Sequence, residues 1–161
     1  MFNRVASGQR VPAAALAELQ DGELVVVRTE RLFAGKRAIV MGMPGAFSPT
    51  CAQKHLPDFI GNADRLRSAG FQLLACITPN DPWVIERWAR ELDPKGRIRF
   101  LSDGNLDLTR KLGLSVRADH YHLGERSARY TMILRDAVIE KLAVEHAIEE
   151  FSCTAVDAVL L

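Results

Sequence analysis

The chain has 161 residues, 48% of them hydrophobic and 25% charged, with a net charge of +1. That suits a single compact domain over residues 1–161 with a full core. It argues against nucleic acid or another polyanion as partner, because no Lys/Arg cluster accompanies the balanced charge. No apolar run is long enough to cross a bilayer. The opening segment MFNRVASGQRVPAAALAEL lacks a basic region followed by a continuous apolar core, so no secretory leader is expected and the cytoplasm is the expected location.

In chain order, residues 1–22 read as an irregular lead-in that ends at the turn Asp21-Gly22. Glu23 to Thr29 (ELVVVRT) is β-branched and predicts a strand. Arg37 to Met43 is a continuous apolar run of the kind found in a central strand. Pro49 to Gly70 is helical in pattern, with a bend expected at Pro57, and Phe59, Ile60, Ala63 and Leu66 form its packed stripe. Phe71 to Thr78 predicts a buried strand. Asn80-Asp81-Pro82 opens a helix through WVIERWAREL. Trp83 and Trp88 within it suit packing or a subunit interface. Ile98 to Ser102 follows as a short strand, then a short helix capped by Asn105 or Asp107 and ending at Gly113. After a polar stretch, Ala128 to Arg135 and Val138 to Val144 predict a hairpin, and Thr154 to Leu161 a last helix. Strand–helix alternation implies parallel pairing, and the hairpin an antiparallel edge. The economical packing is a thioredoxin-like α/β three-layer sandwich, a mixed sheet with helices on both faces.

One stretch concentrates the chemistry: MGMPGAFSPTC, from Met41 to Cys51. A strand breaks at Pro44-Gly45, and Ser48-Pro49-Thr50 starts a helix with Cys51 in its first turn. There the sulfur meets unpaired N–H groups and the positive end of the helix dipole, both of which favour the nucleophilic thiolate. The other cysteines, Cys76 and Cys153, form no CxxC pair or metal-ligand spacing with it. No GxGxxG, Walker A or HExxH pattern occurs, so neither cofactor nor metal is expected. Thiolate chemistry needs none.

The segment PGAFSPTCAQKHLPDF resembles the active-site segment of the type II peroxiredoxins, the peroxiredoxin-5 subfamily. The likeness runs on through ACITPNDPWVIERWA, RYTMILRDAVIEKLAVE and FSC. It implies a thiol peroxidase of antioxidant defence that reduces hydrogen peroxide and alkyl hydroperoxides through a Cys51 sulfenic acid. In it Pro44 covers the sulfur. Ser48, threonine in most of the subfamily, accepts from the peroxide O–H while donating to the sulfur. Arg129 supplies a positively charged fork of donors, with Arg126 the competing assignment. His55, four residues after Cys51 on the same helical face, is a supporting residue. The resemblance leaves three resolving routes open: Cys153, which needs local unwinding around Cys51 before a bridge forms; an external thiol; or Cys76. Thioredoxin or glutaredoxin with glutathione is the implied reductant, and a homodimer the implied assembly. The reading from a different class is a redox sensor that passes Cys51 oxidation to a partner.

Overall fold

The computed structural model describes residues 2–161. β1 (Ala15–Gln20) and β2 (Glu23–Arg28) form an antiparallel hairpin. Its turn is Asp21-Gly22, with both residues at positive φ (50° and 81°), the backbone twist that suits a two-residue hairpin. β1 was not expected from its sequence. ALAELQ is rich in residues poor at forming strands, and pairing with β2 on one side and Ser102 on the other makes it one. α1 (Thr29–Leu32), a single unforeseen turn, leads to β3 (Arg37–Gly42).

The expected helix from Pro49 to Gly70 is broken into pieces. A π-helical turn over Cys51–His55 runs into α2 (Leu56–Gly61), and α3 (Ala63–Ser68) follows. The N–H of Leu56 bonds back five residues to the Cys51 carbonyl, so the ladder widens where Pro57 has no N–H to offer. At Asn62 the side-chain amide donates to the Asp58 carbonyl at 2.8 Å, competing with the backbone and interrupting the helix.

β4 (Leu73–Thr78), α4 (Pro82–Leu92), β5 (Arg99–Ser102) and α5 (Asp107–Lys111) come next. Asp81 caps α4 by accepting from Val84 N–H at 2.9 Å. α5 is anchored differently from expectation. Buried Asp103 accepts from the N–H groups of Leu108 and Thr109, while Asp107 turns to Ala15 N–H. The polar stretch holds a small hairpin of β6 (Ser115–Arg117) and β7 (Glu125–Ser127). β8 (Tyr130–Arg135) and β9 (Val138–Val144) pair through Asp136-Ala137, both at positive φ, before α6 (Val156–Leu160).

The seven-stranded sheet has the order β2-β1-β5-β4-β3-β8-β9. β3, β4 and β5 are parallel, and an antiparallel hairpin flanks them on each side. Strand alternation divides the core in two. Ile39, Met41, Leu74 and Cys76 pack under Phe59, Leu66, Trp88 and Val159, so α2, α3, α4 and α6 cover that face. Ala38, Val40, Ala75 and Met132 pack against Phe33, Leu108 and Leu112 on the other. Burial of each large apolar side chain is worth roughly 1.5–3 kcal/mol. The expected mixed sheet between two helical layers is what forms. At the end of β3, a Cβ on Gly42 would lie 1.9 Å from the Tyr130 ring, so only glycine lets that ring cross the strand. Trp88 is fully buried, whereas Trp83 is exposed.

Candidate active site

Beyond β3 the chain enters the loop Met43–Ser48, held at both ends by backbone bonds. Met43 N–H donates to the Ile77 carbonyl of β4 at 3.0 Å, and Ala52 N–H to the Ser48 carbonyl at 2.9 Å. In between, Ala46 N–H donates to Asn80 Oδ1 at 2.8 Å, and the Asn80 carbonyl is itself fixed by the Ser102 hydroxyl. That tether holds Phe47 at φ +64°, where a bulky residue costs roughly 1–2 kcal/mol. The Phe47 ring leans on Trp88, centroids 6.2 Å apart. Asn80, read from sequence only as part of a helix start, thus positions the loop.

Cys51 and His55, both without solvent exposure, occupy the same face of the π turn. Arg129, directly ahead of β8 and 1% exposed, reaches them from across the sheet. Its Nη2 donates to Cys51 Sγ at 3.3 Å and to the Ile148 carbonyl at 2.6 Å, and its Nη1 lies 3.1 Å from His55 Nδ1. A guanidinium only donates, so Nδ1 accepts and the imidazole proton sits on Nε2. Nε2 faces Thr131 Oγ1 at 3.5 Å, and that hydroxyl donates to the Thr154 carbonyl at 2.7 Å. Burial, then the Arg129 charge, push the His55 pKa well below its ordinary value, and the Glu145 charge opposes them only in part. His55 is therefore a neutral acceptor that orients the arginine. A full positive charge rests against the sulfur where negative charge has to develop.

A cavity of about 130 Å³ opens beside this cluster, lined by Pro44, Ser48, Pro49, Thr50, Tyr121, Leu123, Arg129, Ile148 and Glu149. Ser48 departs from expectation in one respect. Its hydroxyl donates to the Gly45 carbonyl at 2.6 Å, not to the sulfur, which leaves its oxygen lone pairs as acceptors. Arg126 donates to the carbonyls of Leu123 (2.9 Å) and Pro44 (3.5 Å), so it braces the loop and makes no bond to Cys51.

The two remaining cysteines lie apart from the sulfur pocket in different ways. Cys76 is buried in β4 with Sγ 4.0 Å from Met43 Sδ, and burial pushes its thiol far up. Cys153 is exposed, with Sγ 3.5 Å from the Val144 carbonyl, and partial burial followed by the Glu145 carboxylate push its thiol up. Thr131, Thr154, Glu145 and Ile148 were not foreseen as parts of the site, since nothing local in the sequence distinguishes them. Among the described residues, no group of three or more His, Cys, Asp or Glu side chains converges as a metal site would. None of their helices is long and apolar enough to cross a membrane.

Comparison with known proteins places this geometry in context. Residues 6–160 match the model of the Redoxin family. The chain is 40% identical over 145 residues to the chloroplastic peroxiredoxin-2E of Arabidopsis thaliana, a match covering 88% of this chain and 62% of that protein's length. It is 34% identical to Arabidopsis thaliana peroxiredoxin-2B over 97% of this chain and 96% of the relative. Among solved structures it resembles reduced Prx3 of Vibrio vulnificus in complex with hydrogen peroxide, with a TM-score of 0.91, 35% identity and coverage of 97% of both chains.

Proposed function

The chain belongs to the Redoxin family, among the peroxiredoxins, and from that premise we propose that it is a thiol-dependent peroxidase acting through Cys51. One observation carries the reading: Arg129 donates to the Cys51 sulfur at 3.3 Å while also lining a small cavity. In the proposed step the Cys51 thiolate attacks one peroxide oxygen. An S–O bond forms as the O–O bond breaks, leaving a sulfenic acid and releasing alcohol or water once the leaving oxygen takes up a proton. Arg129 stabilises charge at the sulfur and on the departing oxygen. Ser48 Oγ, its own proton directed at Gly45, accepts from the peroxide O–H. Pro44 forms one wall of the cavity and keeps bulk water off the reacting atoms. The cavity volume suits hydrogen peroxide and small alkyl hydroperoxides. The hydrogen peroxide bound by the similar Vibrio vulnificus protein supports the first of these.

For recycling, the reading favoured is attack on the sulfenic acid by Cys153, the exposed thiol among the described residues, with an external thiol such as glutathione as the competing route. Cys76 is disfavoured by its burial and its strongly raised pKa. Thioredoxin or glutaredoxin with glutathione then returns the enzyme to its reduced form. Three free thiols fit a reducing compartment such as the cytoplasm. Exposed Phe47 and Tyr121 near the cavity support a homodimer. A redox sensor needs a reactive Cys51 but no efficient recycling, and is the weaker reading.

The test is peroxide consumption by the purified protein with dithiothreitol, and then with thioredoxin or with glutaredoxin and glutathione. Catalytic turnover that disappears in Cys51→Ser is expected, and the coupled reactions identify the reductant. Consumption no faster than in Cys51→Ser overturns the proposal.

A further inference from the structure

Between β9 and α6 the chain crosses the site as a strap, Glu145 to Thr154. Thr50 Oγ1 donates to the Glu149 carbonyl at 3.1 Å, and Arg129 to that of Ile148 at 2.6 Å. The Phe151 ring lies 5.3 Å from that of His55, and Thr131 ties down the Thr154 carbonyl. The strap thus touches every member of the Cys51–Arg129–His55–Thr131 chain except the sulfur itself.

Glu145 closes this strap on itself. Its carboxylate, 6% exposed, accepts from Ser152 N–H at 2.6 Å, Ser152 Oγ at 3.1 Å, Thr154 N–H at 3.0 Å and Thr154 Oγ1 at 2.8 Å. Those donors bracket Cys153. The Glu145 N–H in turn donates to the Arg129 carbonyl at 3.0 Å, so one residue ties the Cys153 turn to the arginine that touches Cys51. Burial alone would raise this carboxyl, but the bonds from Ser152 and Thr154 outweigh it and bring the pKa down to about 2. The clamp is fully charged at neutral pH.

We infer that Glu145 is a positioning residue for resolution: its carboxylate holds the Ser152–Thr154 turn, and the hold must be released before the Cys153 sulfur can reach Cys51. The inference rests on Cys153 being the resolving thiol. Cys51 is fully buried beneath the strap, whereas Cys153 is exposed with its sulfur turned to Val144. A disulfide needs the two Cα atoms within about 7 Å and the Cβ vectors aligned. The chemical step is attack of the Cys153 thiolate on the Cys51 sulfenic sulfur. An S–S bond forms as the S–O bond breaks, and hydroxide leaves as water after taking up the proton that Cys153 shed. Clamp release precedes that step, so it sets how long the sulfenic acid survives. A long-lived sulfenic acid is open to a second peroxide, which oxidises it to sulfinic acid.

The experiment uses the reduced full-length protein, mixed with one equivalent of hydrogen peroxide, quenched with acid at intervals and read by mass spectrometry. Glu145→Gln keeps the volume and an acceptor oxygen for the Ser152 and Thr154 N–H groups, but it removes the charge that strengthens those bonds. It is expected to speed Cys51–Cys153 bridge formation about tenfold relative to Cys51 oxidation, the factor that one lost charge-assisted hydrogen bond represents. With excess peroxide, its sulfinic acid yield falls correspondingly. Thr154→Val removes a single donor from a clamp that otherwise persists and is expected to give a smaller change of the same sign, a check should Glu145→Gln fold poorly. A bridge that forms in the unmodified protein and no faster in either variant overturns the clamp while leaving Cys153 as resolver. Absence of the bridge from all three proteins overturns the clamp together with the assignment of Cys153.

Discussion

At the sulfur, the polar side chains divide the work by their hydrogen-bonding capacity. Arg129 can only donate, and its Nη2 and Nη1 are committed to Cys51, Ile148 and His55. Ser48 has one proton and gives it to Gly45, so in the proposed step it meets an incoming peroxide as an acceptor fixed in place by that bond. Replacing Ser48 with valine removes the acceptor and is expected to slow Cys51 oxidation by about 10²-fold, the scale of losing one polar partner of a transition state. Threonine keeps the oxygen and adds a β-branch that stiffens χ1, so Ser48→Thr is expected to match the unmodified protein or exceed it. Stopped-flow measurement of peroxide reduction decides it, and a valine variant as fast as the unmodified protein would remove Ser48 from the mechanism.

Among the elements, the π turn carries a pH-dependent signature in stability, because it buries a histidine. His55 stays neutral in the folded protein, with its pKa pushed well below 6.5, whereas the unfolded chain takes up a proton at that pH. Stability from this group is therefore full above about pH 6.5 and falls as pH drops, by up to about 1.4 kcal/mol per pH unit for one proton. Urea unfolding between pH 7.5 and 5.5 is expected to show that slope in the unmodified protein and to lose it in His55→Gln. The π turn itself was not legible. The sequence marked a helix start at Ser48-Pro49 and a disturbance at Pro57, but whether a proline bends a helix or widens one turn depends on the packing around it. The same limit explains Asn62 and β1. An asparagine that breaks a helix looks in sequence like one on its surface, and ALAELQ becomes a strand only through partners distant in the chain. What could be read were features with local causes: the apolar β3 and β4, the Asp21-Gly22 turn and the cysteine after a proline-broken strand. The Glu145 clamp and the Thr131–Thr154 contact join segments remote in sequence, and no local signal announces them.

For the whole molecule, an antiparallel hairpin on each side of the parallel strands leaves β2 and β9 as the outer strands, and the described residues include exposed apolar side chains in two regions. Phe47 and Tyr121, each about half exposed, lie near the cavity. Leu24, Val26 and Trp83 form the other patch, beside β2. The homodimer proposed above is expected to use the first. Sedimentation velocity at micromolar concentration should give a dimer that Phe47→Glu converts to monomer and Val26→Glu leaves intact. The reverse pattern would move the interface to the β2 edge.

The chain around β8 has a further consequence, which concerns variation. Arg129, Thr131 and Ile133 point to the face that holds Cys51, while Tyr130, Met132 and Leu134 point to the opposite core. Along this segment the proposed chemical roles of Arg129 and Thr131 thus alternate with packing positions. Exchange among the second set is expected to be felt mainly as stability, and exchange at Arg129 or Thr131, on the proposed mechanism, mainly as rate. Drift in the packing positions can then proceed with little effect on the reaction, and selection on the reaction leaves the far side of the core free to change.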